Sequence, residues 1–317
     1  MIPINLQYDP KFLEEEVREG HLVTSDMKKL WLVELDILNK FIQICEKYNL
    51  SYFADAGTLL GAVRHNGFVP WDDDVDVIMP RDDYEKFLSI VKDEIQYPYC
   101  IEMRQLTGYF TKIKRLDTIK TNKENLNKKY ITRPCICIDI FSMDSCPNMK
   151  IERNVLYNRL LLQGNLNIRE FNMMKNLYGV HHNLDELLRY MDIIKLGYET
   201  YEKWSMFYND KNTKYVFNST HPKYQLRDDC MRYKEDYSES IMLPFEMIEL
   251  RCPKGYERCL DIMYTKRTGV SWHTFDKYSS MHNQTQELFI DIDNPYTKYM
   301  QPYFNIPDNV NITPKLI

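Results

Sequence analysis

Residues 71–78 read Trp-Asp-Asp-Asp-Val-Asp-Val-Ile. On an extended strand successive side chains point to opposite faces. Asp74 and Asp76 therefore share one face, while Val75 and Val77 bury on the other. Two neighbouring carboxylates on a half-buried strand repel each other, and either a cation between them or protonation of one relieves the repulsion. A divalent metal is the simpler solution, and it points to phosphoryl transfer. Asp72, just upstream, is placed to ligate the metal or to orient its waters.

Three further pieces fit the same chemistry. Gly57-Thr58 lies between a short strand at 51–54 and a helix start at 58–65. Free N–H groups at such a junction suit phosphate oxygens, and glycine permits close backbone approach. Ile138-Asp139-Ile140 places one acid in an apolar strand, which is costly unless that acid has a partner. Lys112 and Lys114 flank Ile113 and put two cations on one strand face, where they can neutralise phosphate charge. Each piece alone has a plain alternative: a solvated turn, a helix cap or a wet sheet face. Their coincidence favours a phosphate site with Asp74, Asp76 and Asp139 at its centre. Arg64 is a further anion clamp. His65 is undecided, Trp71 reads as packing in the turn, and Asp55 either meets the ligand or caps the next helix. An EF-hand is excluded, because Val77 stands where its turn needs glycine and Asp83 where its bidentate glutamate belongs.

The elements that must position these residues follow from periodicity. Leu30, Val33, Ile37, Leu38, Phe41, Ile42 and Cys45 mark an amphipathic helix over 26–49, capped by Ser25 or Asp26. Pro80 ends the acidic strand, and a helix runs from Arg81 to about Lys92. Strands are expected at 101–103, 109–116 and 136–141, with a polar loop at 120–130. Residues 150–208 turn helical, and the stripe Leu184, Leu187, Leu188, Met191, Ile194, Tyr198, Tyr201 and Trp204 reads as core. Strands return at 214–218, 240–243 and 245–251, a helix follows at 254–264, and the tail after Asp291 reads as irregular. The class is α+β: a mixed sheet with flanking helices and an inserted helical region. The expected segments are 1–50 (helical), 51–149 (catalytic core), 150–210 (helical), 211–290 (the rest of the catalytic module) and 291–317 (tail).

A formal net charge of −5 gives no broad basic footprint for nucleic acid. No apolar run reaches the length of a membrane span, and the first residues lack a signal-peptide pattern. The eight cysteines contain no C-x-x-C pair and read as reduced; Cys135 and Cys137 alternate with isoleucines as core residues. A cytoplasmic location fits this pattern. The 24 tyrosines suggest buried hydroxyls and aromatic contact surfaces.

The stretch from Tyr52 through Gly57-Thr58 and Trp71 to Val77 closely resembles the signature of the LicD family, which includes the fukutin-type transferases. Tyr109 to Thr118 resembles the next family block, with Lys114 where arginine is common. Ile138 to Phe141 resembles the block bearing the third carboxylate. Similarity is thinner at 214–264, limited to Leu243-Pro244-Phe245-Glu246 and to Cys252-Pro253, Tyr256 and Leu260. After Tyr264 the family has a Gly-Asp-Tyr/Trp-Met segment, whereas this chain has Thr265-Lys266-Arg267-Thr268. His282 stands for a late family histidine.

The resemblance implies a nucleotidyltransferase-like fold and Mg²⁺, with Mn²⁺ as an alternative, held by Asp72, Asp74, Asp76 and Asp139. Asp139 is either a second-metal ligand or a general base. The resemblance also implies transfer of a phospho-alcohol, phosphocholine first, from a CDP-linked donor to a glycan or lipid-linked saccharide, with CMP released. Contact with a membrane surface is compatible with such an acceptor. The competing readings are a nucleotide-sugar glycosyltransferase, a true nucleotidyltransferase and a non-catalytic nucleotide-binding protein. Gly57-Thr58 and Asp139 count against the first, and retention of all three acids counts against the last.

Overall fold

A computed structural model describes residues 3–102, 109–130, 133–178, 184–276 and 288–302. The chain opens with a hairpin, β1 (Glu16–Arg18) and β2 (His21–Val23), and then the long helix α1 (Ser25–Lys47). Thr24, one residue before the expected caps, caps α1: its backbone is extended and its hydroxyl accepts from the Met27 N–H. Trp31, Leu35, Leu38 and Phe41 of α1 are fully buried against the sheet.

Then come β3 (Phe53–Ala54), α2 (Ala56–His65), β4 (Asp76–Pro80), α3 (Arg81–Glu94), β5 (Tyr99–Glu102), β6 (Thr111–Arg115), β7 (Ile119–Asn122), β8 (Lys129–Tyr130) and β9 (Cys137–Cys146). The helical pair α4 (Lys150–Tyr178) and α5 (Leu184–Ser205) precedes β10 (Tyr215–Asn218), α6 (Pro222–Gln225) and β11 (Arg232–Tyr233). The hairpin β12 (Ser240–Phe245) and β13 (Ile248–Pro253), α7 (Tyr256–Leu260), β14 (Leu288–Asp291) and β15 (Gln301–Pro302) complete the elements.

The main sheet runs β11-β10-β9-β4-β3, with β5 and β6 joined through β9. The α+β class is as expected. β9 is the axis: β4 lies parallel along one edge, while β6 and β10 share the other edge as antiparallel partners. Val75, Val77, Ile113, Ile138 and Ile140 are fully buried, so the apolar residues of these alternating stretches face the core.

Three local expectations are corrected. The regular acidic strand begins only at Asp76, because Asp72 closes a turn onto the Val69 carbonyl, with Pro70 in the position that presets its angle. Within the polar loop expected at 120–130, Lys120–Asn122 belong to a strand, Ile119–Asn122, that pairs with Leu288–Asp291. That partner lies far downstream, so no local signal marks it. The helix expected over 254–264 is regular only through Leu260, then widens into a π-helical turn at Asp261–Lys266.

Of the expected helical stripe, Ile194, Tyr198 and Tyr201 are buried. The side chains of Leu184, Leu187, Leu188 and Met191 lie outside the described residues, as do Met103 and His282. Tyr201 joins Leu156 and Leu160 of α4 in a satellite core with Cys146, Phe217, Leu226 and Met231. This cluster fixes the helical pair to the far end of β9. All eight cysteines are free thiols, Cys135 buried and Cys137 half-buried. Among the described residues no helix is long and apolar enough to cross a membrane.

Candidate active site

Strand register builds the site. Asp76 of β4 pairs with Asp139 of β9, which on its other edge pairs with Lys112 of β6. Lys112 in turn pairs with Glu102 of β5. The Asp55 N–H donates to the Asp76 carbonyl and extends the row by one more acid. Residues opposite one another across strands present side chains on one face. One transverse row therefore reads Glu102, Lys112, Asp139, Asp76, Asp55, which gathers the separated acids and a cation.

The row is unevenly neutralised. Lys112 Nζ sits 2.7 Å from Asp139 Oδ1. Arg232 of β11 reaches across to Asp55 at 2.8 Å, both side chains being buried. Lys114 is held by Glu102 at 2.8 Å and by the Arg133 carbonyl. Asp76 lies between two acids and, among the described residues, has no ion-pair partner. Burial, then the charges of Asp74, Asp139, Asp55 and Asp72, push its pKa well above the usual carboxylate range. Asp72 is raised in the same way, by burial and then by Asp74 and Asp73.

The residues before β4 bring more carboxylates. Asp72, Asp73 and Asp74 offer ligand atoms within 4.8 Å of one another. Asp73, absent from the expected ligand set, completes this tight group. Trp31 fixes the acidic turn from α1, its Nε1 donating to the Asp72 carbonyl at 2.9 Å. The donor set is oxygen only, which suits a hard divalent cation such as Mg²⁺ better than a thiophilic one. Among the described residues, Asp76 and Asp139 fall outside this tight group and lie beside each other in the strand row.

Gly57 explains itself by contact. A Cβ there would lie 1.9 Å from Asp72 Oδ2, so α2 can start against the acid only with glycine. Ala56, just before it, has φ 43°, a left-handed value that stores strain at this turn. The Thr58 hydroxyl, expected at phosphate, accepts from the Asp76 N–H at 2.8 Å and pins the first residue of β4. Gly57→Ala is expected to displace the Asp72 carboxylate while the backbone stays in place. Divalent-ion affinity measured by calorimetry should fall about tenfold or more for the loss of one ligand, with little change in melting temperature.

Arg64 donates to the Trp272 and Phe275 carbonyls at 2.8 and 2.9 Å and to His65 Nε2 at 3.0 Å. The structure thus places it as a brace on the 272–275 turn. His65 accepts that bond as a neutral imidazole, its pKa pushed down to about 4 by burial and then by Arg64 and Arg18. Trp71 packs edge-on against His21 and under the Arg64 guanidinium, as the packing reading expected.

A 480 Å³ cavity opens beside the acids, lined by Asp73, Asp74, Lys112, Lys114, Asp139 and Lys120 among others. Lys120 was missed in the sequence, where it sits in the supposed loop. Arg232 was missed as well, since nothing near it in sequence marks an ion pair with Asp55. In Lys120 the only local signal is the Ile119-Lys120-Thr121-Asn122 alternation.

Paired strand acids, a glycine helix start and a cation row thus meet on one mixed sheet. Residues 49–159 match the family described as LicD/FKTN/FKRP, nucleotidyltransferase domain. The chain is 38% identical over 141 residues to the lipopolysaccharide cholinephosphotransferase LicD of Haemophilus influenzae, covering 41% of this chain and 50% of that protein. An uncharacterized protein of Rickettsia typhi is 35% identical over 82 residues, 26% of each chain. One of Rickettsia prowazekii is 29% identical over 143 residues, 45% of this chain and 44% of the relative. The chain thus spans half or less of the curated relatives it matches.

Proposed function

We propose that this chain is a Mg²⁺-dependent transferase that moves a phospho-alcohol from a CDP-linked donor to a hydroxyl of a glycan or lipid-linked saccharide and releases CMP. Mn²⁺ is the alternative ion. Phosphocholine is the first candidate group, supported by similarity to the lipopolysaccharide cholinephosphotransferase LicD of Haemophilus influenzae. The observation that carries the reading is Asp76, half-buried between acids in a row whose other members are ion-paired.

Asp72, Asp74 and Asp76 would hold the divalent ion, with Asp73 adjoining. When bound, that ion supplies positive charge to the donor diphosphate. The N-terminus of α2 at Gly57 presents backbone N–H groups to phosphate oxygens. Lys112 and Lys114 face the same cavity and offset the charge left on the diphosphate. Asp139 takes the proton of the acceptor hydroxyl as its oxygen bonds to the phosphorus of the phospho-alcohol. The bond from that phosphorus to the bridging oxygen breaks, and the oxygen leaves on CMP. Lys112, 2.7 Å from Asp139, holds that carboxylate in place.

Incubation with CDP-choline, CDP-ribitol or CDP-glycerol and Mg²⁺ tests the reading. Metal-dependent release of CMP from one of them is the expected result. An acceptor carrying CMP would replace this reaction with nucleotidyl transfer, and no CMP from any donor would refute it. Lys112→Ala is expected to lower kcat/KM by about a hundredfold, as loss of a charge-stabilising group does. Steady-state kinetics check it, and unchanged constants would make Lys112 a solvated sheet residue.

A further inference from the structure

Lys120 and Glu34 form a charge arrangement that the proposed reaction does not use. Glu34 projects from α1 and is fully buried, and neither carboxylate oxygen has a hydrogen-bond partner. Its nearest cation is Lys120 Nζ, 3.6 Å away. The same ammonium lies 3.2 Å from Asp73 Oδ2 and donates to the Asp73 carbonyl. Burial works against both the Lys120 and the Glu34 charge, pushing the Glu34 pKa well up, so the contacts that hold the Lys120 ammonium are chiefly those to Asp73. Lys120 also lines the cavity that Lys112 and Lys114 face. One ammonium therefore stands between a buried carboxylate and the tight group Asp72–Asp74, with an open cavity beside it.

A divalent ion among those acids would lie within a few ångströms of this ammonium, and like charges so close repel. The geometry points to Lys120 as an exchangeable counter-cation: it competes with the divalent ion for the acidic turn, yields to it, and then faces the donor diphosphate from the cavity wall. Glu34 is the seat to which it returns, which accounts for a buried carboxylate with no hydrogen bond. The inference deepens the reading of Asp72, Asp74 and Asp76 as metal ligands and rests on it.

The test is titration of the full chain with Mn²⁺ alone, followed by calorimetry, so no donor or acceptor enters. Lys120→Gln is expected to bind Mn²⁺ roughly tenfold more tightly than the unaltered protein, and Lys120→Arg to stay within about twofold of it. Equal or weaker binding by Lys120→Gln overturns the exchange while leaving the metal reading intact. No Mn²⁺ binding by any of the three proteins overturns both. Should Lys120→Gln fail to fold, the unaltered protein supplies the readout. Acylation of Lys120 by acetic anhydride, followed by peptide mass, should speed up when Mn²⁺ is added, and an unchanged or slower rate refutes the exchange.

Discussion

On the proposed reaction, Asp76→Asn is expected to lower turnover by about a hundred- to a thousandfold or more, the scale set by loss of one charge-organising group, while thermal stability stays level or rises. Two facts separate these outcomes. Asp76 is flanked by Asp139 and Asp55 in the strand row and by Asp74 and Asp72 from the preceding turn. In the ion-free protein its charge is repelled on every side, so a neutral amide of the same shape relieves strain. The backbone N–H that Thr58 accepts from is unaffected by the change. CMP release and a melting curve on the same preparation give the check. Near-normal turnover in Asp76→Asn would end the metal assignment; a large drop in melting temperature would mean the acid is structural.

Arg232→Met is expected to cost about 3–5 kcal/mol of folding stability, because removing one partner strands a buried charge on the other. Arg232 is buried and donates to Asp55 at 2.8 Å, and its second guanidinium nitrogen touches Met263 sulfur. Methionine fills comparable space, so the loss measures charge rather than volume. The double change Asp55→Asn with Arg232→Met should recover much of it, since no uncompensated charge then remains. Urea unfolding of the unaltered protein, Arg232→Met and the double variant is the measurement. A double variant as unstable as Arg232→Met alone would show that packing, not ion pairing, joins β11 to the start of α2.

The two variants also mark the limit of what local pattern conveys. Alternation in Asp74-Val75-Asp76, Ile138-Asp139-Ile140 and Lys112-Ile113-Lys114 places each charge opposite a buried aliphatic, and the register sets three of these residues in one row. Short-range periodicity was enough there, because a strand face is decided by its immediate neighbours. Asp55–Arg232, Glu34–Lys120 and the pairing of Ile119–Asn122 with Leu288–Asp291 join residues far apart in sequence. A single polar residue carries no mark of a partner so distant. Thr58 and Arg64 were visible as chemistry-bearing residues, but their hydroxyl and guanidinium are taken up by backbone groups. Residue type alone does not reveal that kind of occupation.

The helical pair leaves and re-enters the sheet at neighbouring points. Cys146, the last residue of β9, is the register partner of Tyr215, the first of β10. The whole excursion between them is therefore a cassette whose two seams meet. A tight two- or three-residue connection from β9 to β10 would close the sheet as an ordinary hairpin. Such a miniature would need polar replacements at Phe217, Leu226 and Met231, which α4 and α5 shelter. It would keep every acid of the row, Glu102, Asp139, Asp76 and Asp55, none of which lies in the excursion.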